Sequence, residues 1–407
     1  MIIKIPVAQL KVGMFIHDIN CSWLKHNFVR NRFLVDSLET LQKVRATGVK
    51  ELFIDPEQSQ VPQTAAPPPV STPGPAPVVE DEVREESSYI PIPVLNPKST
   101  PEEGYKHAKK LYGSANQMMQ SMMRDIRLGK QIELEACDPL IDNIMNSIFT
   151  FPSALLPLAQ MKSRDEYTFQ HSVSVSALAV AFGRVLELPR AEIKELALGG
   201  LLHDVGKAQI PGKILNKPGK LDDDEFSVMK THASLSADLL KQVGGLSEIA
   251  FNAAAQHHER YDGSGYPHGL KGEAISLHGQ MLAIVDVYDA ITSVRVYHRG
   301  MPPTEALRKM FEWGGSHFNP SLVKAFVKGI GIYPAGSLVR MASNRLGIVR
   351  EVVPEKLLQP IVQLIYDCDS KRYMTPETVD LSVTSDKIIA HESFETWQID
   401  PAKWAVA

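Results

Sequence analysis

The chain has 407 residues, enough for two or three domains with a large buried core. Its formal net charge of -4 provides no global basic field, which excludes a general affinity for nucleic acid or for anionic membranes. The cysteines Cys21, Cys137 and Cys368 are odd in number and far apart, which is typical of a reducing compartment rather than of a disulfide framework.

Residues 1–56 predict a small α+β module. Short strand patterns occur in MIIKIPVAQL, MFIHDI and VKELFIDP, and SLETLQKVRATG predicts a helix that ends at a glycine. The N-terminus lacks a basic region before a signal-type apolar run, and no stretch reaches about 18 uninterrupted apolar residues. We therefore expect a cytoplasmic chain without a membrane span. His17 and Asp18 lie in a strand pattern with no other ligand nearby, so we expect no metal there.

From residue 57 to residue 98 the composition shifts to proline, alanine, valine and serine, including APPPVSTPGPAP and the acidic run EDEVREE. Such a segment cannot bury enough apolar area to offset its conformational entropy, so we expect a disordered linker. A proline-rich ligand for an SH3-like partner is the alternative interpretation.

Residues 99–149 predict two linking helices. The first begins near Pro101, after hydroxyl side chains that can cap it, and runs to about Leu128. The second is predicted to open with Asp138 as its cap and Pro139 at its first helical position. Four methionines are expected to pack inside and are candidates for a homodimer contact: Met118, Met119, Met122 and Met123.

Residues 150–330 predict an all-helical core with histidines and aspartates on five separate segments. The candidate metal ligands are His171, His203, Asp204, His232, His257, His258 and Asp286. Imidazole with carboxylate suits iron, manganese, nickel or zinc, and seven donors are too many for one ion. The sequence therefore predicts two divalent ions, with Asp204 bridging them because a carboxylate has two oxygens.

The glycines near these ligands and the residues around the histidine pair lead to further predictions. The glycine pair at 199 and 200 allows close helix approach, and Gly206 is expected to close its helix as a C-cap. Adjacent His257 and His258 would point about 100° apart on a helix, so both reach one ion only where helix gives way to loop. Glu259 is expected to orient an imidazole by accepting a hydrogen bond.

Three motifs resemble the HD-GYP subgroup of the HD-domain phosphohydrolases: HDVGK at 203–207, HHERYDGSGYP at 257–267 and DVYDAITSVRVY at 286–297. The resemblance covers roughly residues 150–330 and implies cyclic di-GMP as the substrate, opened to linear pGpG, with a second cut to GMP left open. Some relatives carry a carboxylate where this chain has Tyr167, which favours two metals here. Residues 1–56 are similar to a small domain of unassigned function found ahead of HD-GYP domains.

The expected mechanism uses a water or hydroxide that bridges the two ions. One ion, iron or manganese in preference to nickel or zinc, would be held by His171, His203 and Asp286, and the other by His232, His257 and His258. Asp204 and Lys207 are the expected catalytic residues. The expected substrate contacts are Lys207, Arg295 and Tyr297, with Gly265, Tyr266 and Pro267 at the rim of the site.

Residues 331–407 alternate like the strands of a small antiparallel β unit. The last part, HESFETWQIDPAKW at 391–404, predicts a short turn of helix. This C-terminal segment lacks a cluster of residue types that catalyse reactions or bind metals. We therefore expect it to serve packing or regulation.

Two other functions stay open. The chain could be a receptor or scaffold that binds cyclic di-GMP without turnover, or a hydrolase of another cyclic dinucleotide or nucleotide. Metal-replete protein that leaves the nucleotide intact would indicate the receptor, and a substrate panel would separate the hydrolases. A homodimer, a diguanylate cyclase or other signalling proteins are the expected macromolecular partners.

Overall fold

The computed structural model describes residues 3–18, 33–46, 51–56, 58–59, 96, 99–160, 167–217, 219–293, 300–353, 356–400 and 404. The chain divides into two compact units, residues 1–83 and residues 84–407. Most of the predicted linker lies outside the described residues. None of the helices in the described ranges combines the length and the apolar character needed to cross a membrane.

The first unit contains a four-stranded antiparallel sheet. Its strands β1 (Ile3–Pro6), β2 (Phe15–Asp18), β3 (Phe33–Leu34) and β4 (Glu51–Asp55) lie in the order β1-β4-β2-β3. Helix α1 (Leu38–Ala46) contributes Leu41 and Val44 to a small core that includes Ile16 and Leu52. The predicted α+β character of this unit is therefore confirmed.

The second unit opens with helices α2 (Pro101–Arg127), α3 (Cys137–Thr150) and α4 (Pro152–Gln160). Thr100 caps α2, since its hydroxyl accepts from the Glu103 N–H while the Glu103 carboxylate accepts from the Thr100 N–H. The four methionines of α2 are buried, which confirms their packing role. Asp138 is not the cap of α3, because a 3-10 turn at Leu134–Ala136 runs straight into the helix.

Helices also form the rest of the core, as predicted. They are α5 (Tyr167–Val185), α6 (Arg190–Leu202), α7 (Gly212–Leu215), α8 (Asp223–Val243), α9 (Glu248–Gln256), α10 (Leu277–Thr292), α11 (Pro303–Glu312) and α12 (Pro320–Ile330). Helix α5 is apolar on several faces because it packs against α4, α6, α10 and α12. Its Val175, Leu178 and Phe182 are fully buried.

Glycines let the helices around α6 approach closely. A Cβ at Gly199 would lie 2.7 Å from the Ala250 carbonyl oxygen, and one at Gly200 would lie 3.3 Å from the Ser176 Cα, so the predicted role of this pair is confirmed. Gly206 is not a C-cap, because α6 already ends at Leu202. Gly206 lies in a short 3-10 helix, where a Cβ would be 2.3 Å from the His232 carbonyl oxygen of α8.

A five-stranded antiparallel sheet ends the chain, which confirms the predicted β unit. Strands β5 (Leu338–Met341), β6 (Arg345–Glu351), β7 (Ile361–Asp367), β8 (Arg372–Asp380) and β9 (Ile388–Glu392) lie in the order β8-β7-β6-β5-β9. The predicted helical turn does not begin at residue 391, because His391 lies in β9 and pairs with Val339 of β5. The polar His391 and Glu392 obscure the strand pattern, and Glu392 forms an ion pair with Arg340 at 2.8 Å.

We predict that Gly199→Ala lowers the free energy of unfolding by about 1–3 kcal/mol, because the added methyl overpacks the α6–α9 contact. Denaturant unfolding of the full chain, followed by circular dichroism, measures the change. The matched control is Gly113→Ala, since Gly113 lies inside α2 with no atom within 4 Å of the position of a Cβ. This control should stabilise the helix by up to about 1 kcal/mol. Equal effects of the two substitutions would contradict the packing role.

Candidate metal centre

The structure brings together all seven side chains predicted as metal ligands. They come from α5, the C-terminal end of α6 and the residue after it, α8, the end of α9, and α10: His171, His203, Asp204, His232, His257, His258 and Asp286. Six of them are at most 6% exposed, and His258 is half-buried. Helix α9 ends at Gln256, so His257 and His258 stand where helix gives way to loop.

Two groups of these side chains that share no member could each hold an ion, and a third group, His203, Asp204 and His257, overlaps both. One group is His171, His203 and Asp286, and the other is His232, His257 and His258. Within each group the candidate ligand atoms lie within 4.8 Å of one another. These two groups are the ones expected from the sequence to hold one ion each.

Asp204 lies between the two groups and faces both. Its Oδ2 is 3.2 Å from His203 Nε2 and 3.6 Å from His171 Nε2. Its Oδ1 is 3.3 Å from His232 Nε2 and 4.0 Å from His257 Nε2. Each oxygen of this one carboxylate therefore faces a different group, which is the geometry that a bridging ligand requires.

Three buried ligand atoms at this junction have no hydrogen-bond partner in the described part of the chain. They are His203 Nε2, Asp204 Oδ1 and His257 Nε2. Leaving a buried polar atom unsatisfied costs about 1–3 kcal/mol. A cation coordinated by these atoms would satisfy all three, so the donor set fits a metal centre.

Four of the five imidazoles are oriented through Nδ1. In three of them Nδ1 lies 2.6–2.7 Å from the carbonyl oxygen three residues earlier: His203 to Gly200, His232 to Met229 and His257 to Ala254. In the fourth, His171 Nδ1 lies 2.6 Å from Asp289 Oδ2. These contacts assign the proton to Nδ1 and leave Nε2 to donate its lone pair to a metal.

Asp289 also belongs to this site, because its carboxylate contacts His171, and no motif in the sequence predicted that role. It is 1% exposed and lies three residues after Asp286 on α10, so both carboxylates share one helix face. Its hydrogen bond fixes the ring of His171 and increases the basicity of the Nε2 atom. The i, i+3 spacing from Asp286 was the available signal in the sequence.

Burial and neighbouring charges together set the protonation states of the centre. Burial opposes ionisation of Asp204 and Asp286, but His203 and the Lys207 ammonium beside Asp204, and the His171 ring beside Asp286, hold both pKa values well below the usual range. Burial holds the pKa of His257 well below its usual value and lowers the pKa of His258 to about 3. Ionised carboxylates and neutral imidazoles are the forms that bind metal.

Lys207 borders the centre from the 3-10 helix that follows Asp204. Its Nζ donates a 2.5 Å hydrogen bond to Asp204 Oδ2, on the side of the carboxylate that faces His203. The Lys207 side chain is 21% exposed, so its ammonium group borders both the carboxylate and solvent. Its contact with substrate stays a prediction.

The loop at residues 260–270, called the GYP loop below, covers one side of the centre. The Tyr266 ring packs on His258 with 4.6 Å between the ring centroids. A Cβ at Gly265 would lie 2.3 Å from the Arg260 backbone nitrogen, which explains the glycine.

Substrate contacts of Gly265, Tyr266 and Pro267 stay predictions. Two further predicted contacts, Arg295 and Tyr297, lie outside the described residues, as does the side chain of Tyr167.

Glu259 does not accept a hydrogen bond from an imidazole, contrary to prediction. Its Oε1 accepts a 2.7 Å hydrogen bond from the His268 N–H and its Oε2 a 2.9 Å hydrogen bond from the Leu270 N–H. The reason is that the GYP loop turns at Gly263 and folds back, so its own backbone amides reach the carboxylate first. Glu259 therefore anchors the backbone of the GYP loop rather than an imidazole ring.

We predict that Asp289→Asn weakens metal binding by about 10–100-fold, because His171 loses its charged acceptor while the shape of the side chain is kept. Titration of metal-depleted protein with Mn²⁺ or Co²⁺ against a chelator measures the affinity. Asp238→Asn is the matched control, because Asp238 is exposed on α8. An unchanged affinity in the Asp289 variant would show that this carboxylate does not support the centre.

Comparisons with known proteins place the chain in a family. The family described as "HD domain" matches residues 156–322, and "Domain of unknown function (DUF3391)" matches residues 2–137. A cyclic di-GMP phosphodiesterase of Pseudomonas aeruginosa is 42% identical over 410 residues, covering 98% of this chain and 94% of the relative. A 3′3′-cGAMP-specific phosphodiesterase of Vibrio cholerae is 40% identical over 39% of this chain and 36% of the relative.

A solved structure shares the fold. It is an HDG"Y"P protein from Bdellovibrio bacteriovorus, with a TM-score of 0.50 and 16% sequence identity, over 80% of this chain and 98% of that one. The full-length relative, the matching domains and the shared fold agree with the His-Asp centre and the HHERYDGSGYP motif. The chain therefore belongs to the HD-GYP family of metal-dependent HD-domain phosphohydrolases and carries a DUF3391 domain on its N-terminal side.

Proposed function

We propose that the protein is a metal-dependent phosphodiesterase that hydrolyses cyclic di-GMP to linear pGpG. The observation that carries this proposal is the seven-residue centre in which one carboxylate faces two metal-capable groups. It stands in a chain that is 42% identical, over nearly its full length, to a cyclic di-GMP phosphodiesterase. Whether pGpG is cut further to GMP is decided by analysis of the products.

The proposed cofactor is a pair of divalent ions, iron or manganese in preference to nickel or zinc. His171, His203 and Asp286 would hold one ion, His232, His257 and His258 the other, and Asp204 would give one oxygen to each. The absence of thiolate donors from this set of seven favours iron or manganese over a structural zinc site. When bound, such ions polarise phosphate oxygens and acidify water.

The protein's own residues would complete the chemistry. Lys207 can pair either with Asp204 or with a phosphate oxygen, and neutralisation of Asp204 by another cation favours the second partner. The ammonium would then stabilise the negative charge that develops on the phosphoryl group. The buried walls around Asp204 and His203 keep bulk water away, which strengthens each of these electrostatic contacts.

A second candidate function is hydrolysis of a mixed cyclic dinucleotide. The supporting observation is the 40% identity to a 3′3′-cGAMP-specific phosphodiesterase over 39% of this chain. We favour cyclic di-GMP because the relative that matches 98% of the chain is named for that nucleotide. Contacts with a second copy of the chain or with a diguanylate cyclase stay predictions.

We predict that protein purified without oxygen, with its metals quantified, converts cyclic di-GMP to pGpG with a higher kcat/KM than 3′3′-cGAMP. Chromatography of timed samples, with both substrates run in parallel, measures the two rates. Faster turnover of 3′3′-cGAMP would replace the first candidate by the second. Metal-replete protein that binds cyclic di-GMP but leaves it intact would instead identify a receptor.

Asp204→Ala should reduce turnover by more than about 100-fold, since loss of a shared ligand exceeds the 10–100-fold cost typical of a change outside the ligand shell. It should also lower the number of metals bound per chain. Asp238→Ala, the same change at an exposed position of α8, is the control for expression and folding. Full activity in the Asp204 variant would refute a shared carboxylate.

A further inference from the structure

We infer that the GYP loop, latched in place by Glu259, is the device that orients His258 toward the metal centre. Glu259 is thus a positioning residue that acts through Tyr266. The inference rests on the proposed metal-dependent function and extends it to the role of the loop. It is carried by three sets of contacts around His258, Tyr266 and Glu259.

His258 is held differently from the other four imidazoles. Each of the others has Nδ1 within 2.7 Å of a carbonyl or carboxylate oxygen. In the described part of the chain, neither ring nitrogen of His258 has an oxygen that close. Its Nε2 lies 3.0 Å from His232 Nε2 and its Nδ1 lies 3.9 Å from Asp286 Oδ2, while the His257 ring packs against it with 4.0 Å between the centroids. Its side chain is 22% exposed, against 3% or less for His171 and His232. His258 therefore needs another means of orientation.

Tyr266 supplies that orientation through two contacts. Its ring lies over the His258 ring, with 4.6 Å between the centroids and 32° between the planes. Its backbone N–H donates a 3.1 Å hydrogen bond to the His258 carbonyl oxygen. The first contact limits rotation of the imidazole and the second fixes the backbone from which it projects. Both contacts require the GYP loop to stay closed over residue 258.

Glu259 keeps the loop closed. The carboxylate is 2% exposed and accepts one backbone N–H on each oxygen, from His268 and from Leu270. Hydrogen bonds to an ionised acceptor are about twice as strong as neutral ones, and burial strengthens them further. The two donors lie two and four residues after Tyr266, so Glu259 fixes the part of the loop that follows the ring.

The start of the GYP loop is fixed independently of the latch. The Tyr261 N–H donates to the His317 carbonyl oxygen at 3.0 Å, and the Asp262 N–H donates to the Ser316 carbonyl oxygen at 2.8 Å. Loss of the Glu259 contacts should therefore release residues 264–270 while the start of the loop stays attached. This separation makes the effect of the latch measurable.

The test is a double-mutant cycle on metal affinity with Glu259→Gln, Tyr266→Leu and the combination. Glu259→Gln keeps one acceptor and the size of the side chain, whereas Tyr266→Leu removes the ring and leaves the latch intact. We expect each single change to weaken one of the two Mn²⁺ binding steps by about 10–100-fold. The double variant should lose less affinity than the sum of the two single losses, because both changes act in part through the same ring.

Hydrogen exchange of the loop amides provides a readout that does not depend on activity. Glu259→Gln should accelerate exchange in peptides covering residues 264–270 and leave helix α10 unchanged. Glu377→Gln, the same change at an exposed glutamate of β8, should alter neither exchange nor metal affinity. If Glu259→Gln does not fold, Gly265→Ala loosens the same loop with Glu259 intact, because its Cβ meets the Arg260 backbone.

Two results would overturn the inference. One is faster loop exchange in Glu259→Gln with both Mn²⁺ affinities unchanged, and the other is additive effects in the cycle. The proposed function fails separately, when the unsubstituted protein binds two metals but does not hydrolyse a cyclic dinucleotide. In that case the affinity shifts would still support the positioning role of Glu259.

Discussion

The arrangement of the core depends on one buried carboxylate, Asp204, whose two oxygens face two different groups of imidazoles. Burying an ionised carboxylate costs several kcal/mol unless positive charge and hydrogen bonds compensate it. His203 and Lys207 supply part of that compensation in the structure described here, and a coordinated cation would supply the rest. His203 and Lys207 are sequence neighbours of Asp204, whereas the surrounding helices bring His171, His232 and His257 to it from distant parts of the chain.

The C-terminal ends of two helices orient two of the candidate metal ligands. The last carbonyl groups of a helix lack partners within that helix, so they are free to accept from side chains. His203 and His257 stand at the ends of α6 and α9, and each aims Nδ1 at such a carbonyl, three residues back. Close packing of α6 against α9, which Gly199 permits, brings the two imidazoles to a ring distance of 4.7 Å. His258 lies one residue beyond this arrangement and depends on the GYP loop instead.

Local patterns in the sequence predicted the helical core, the two flanking small units and the seven side chains that converge. Those features follow from apolar periodicity and from residue types with a narrow range of chemistry. The hydrogen-bond partners of Glu259 and Asp289 could not be predicted from local sequence patterns. Each depends on which backbone amide or imidazole ring the fold brings near the carboxylate. Gly206 was misread as a helix cap for the same reason, since the constraint on it is the approach of α8. Strand β9 was missed because an edge strand with polar residues lacks the alternation of a buried one.

The central claim is that Asp204 is shared between two metal sites. Anomalous-scattering diffraction from crystals of anaerobically purified protein, recorded on both sides of the iron and manganese absorption edges, tests it most directly. The account predicts two peaks about 3.5–4 Å apart, one beside His171, His203 and Asp286 and the other beside His232, His257 and His258, with Asp204 in contact with both. A single peak, or two peaks of which only one contacts Asp204, would contradict it.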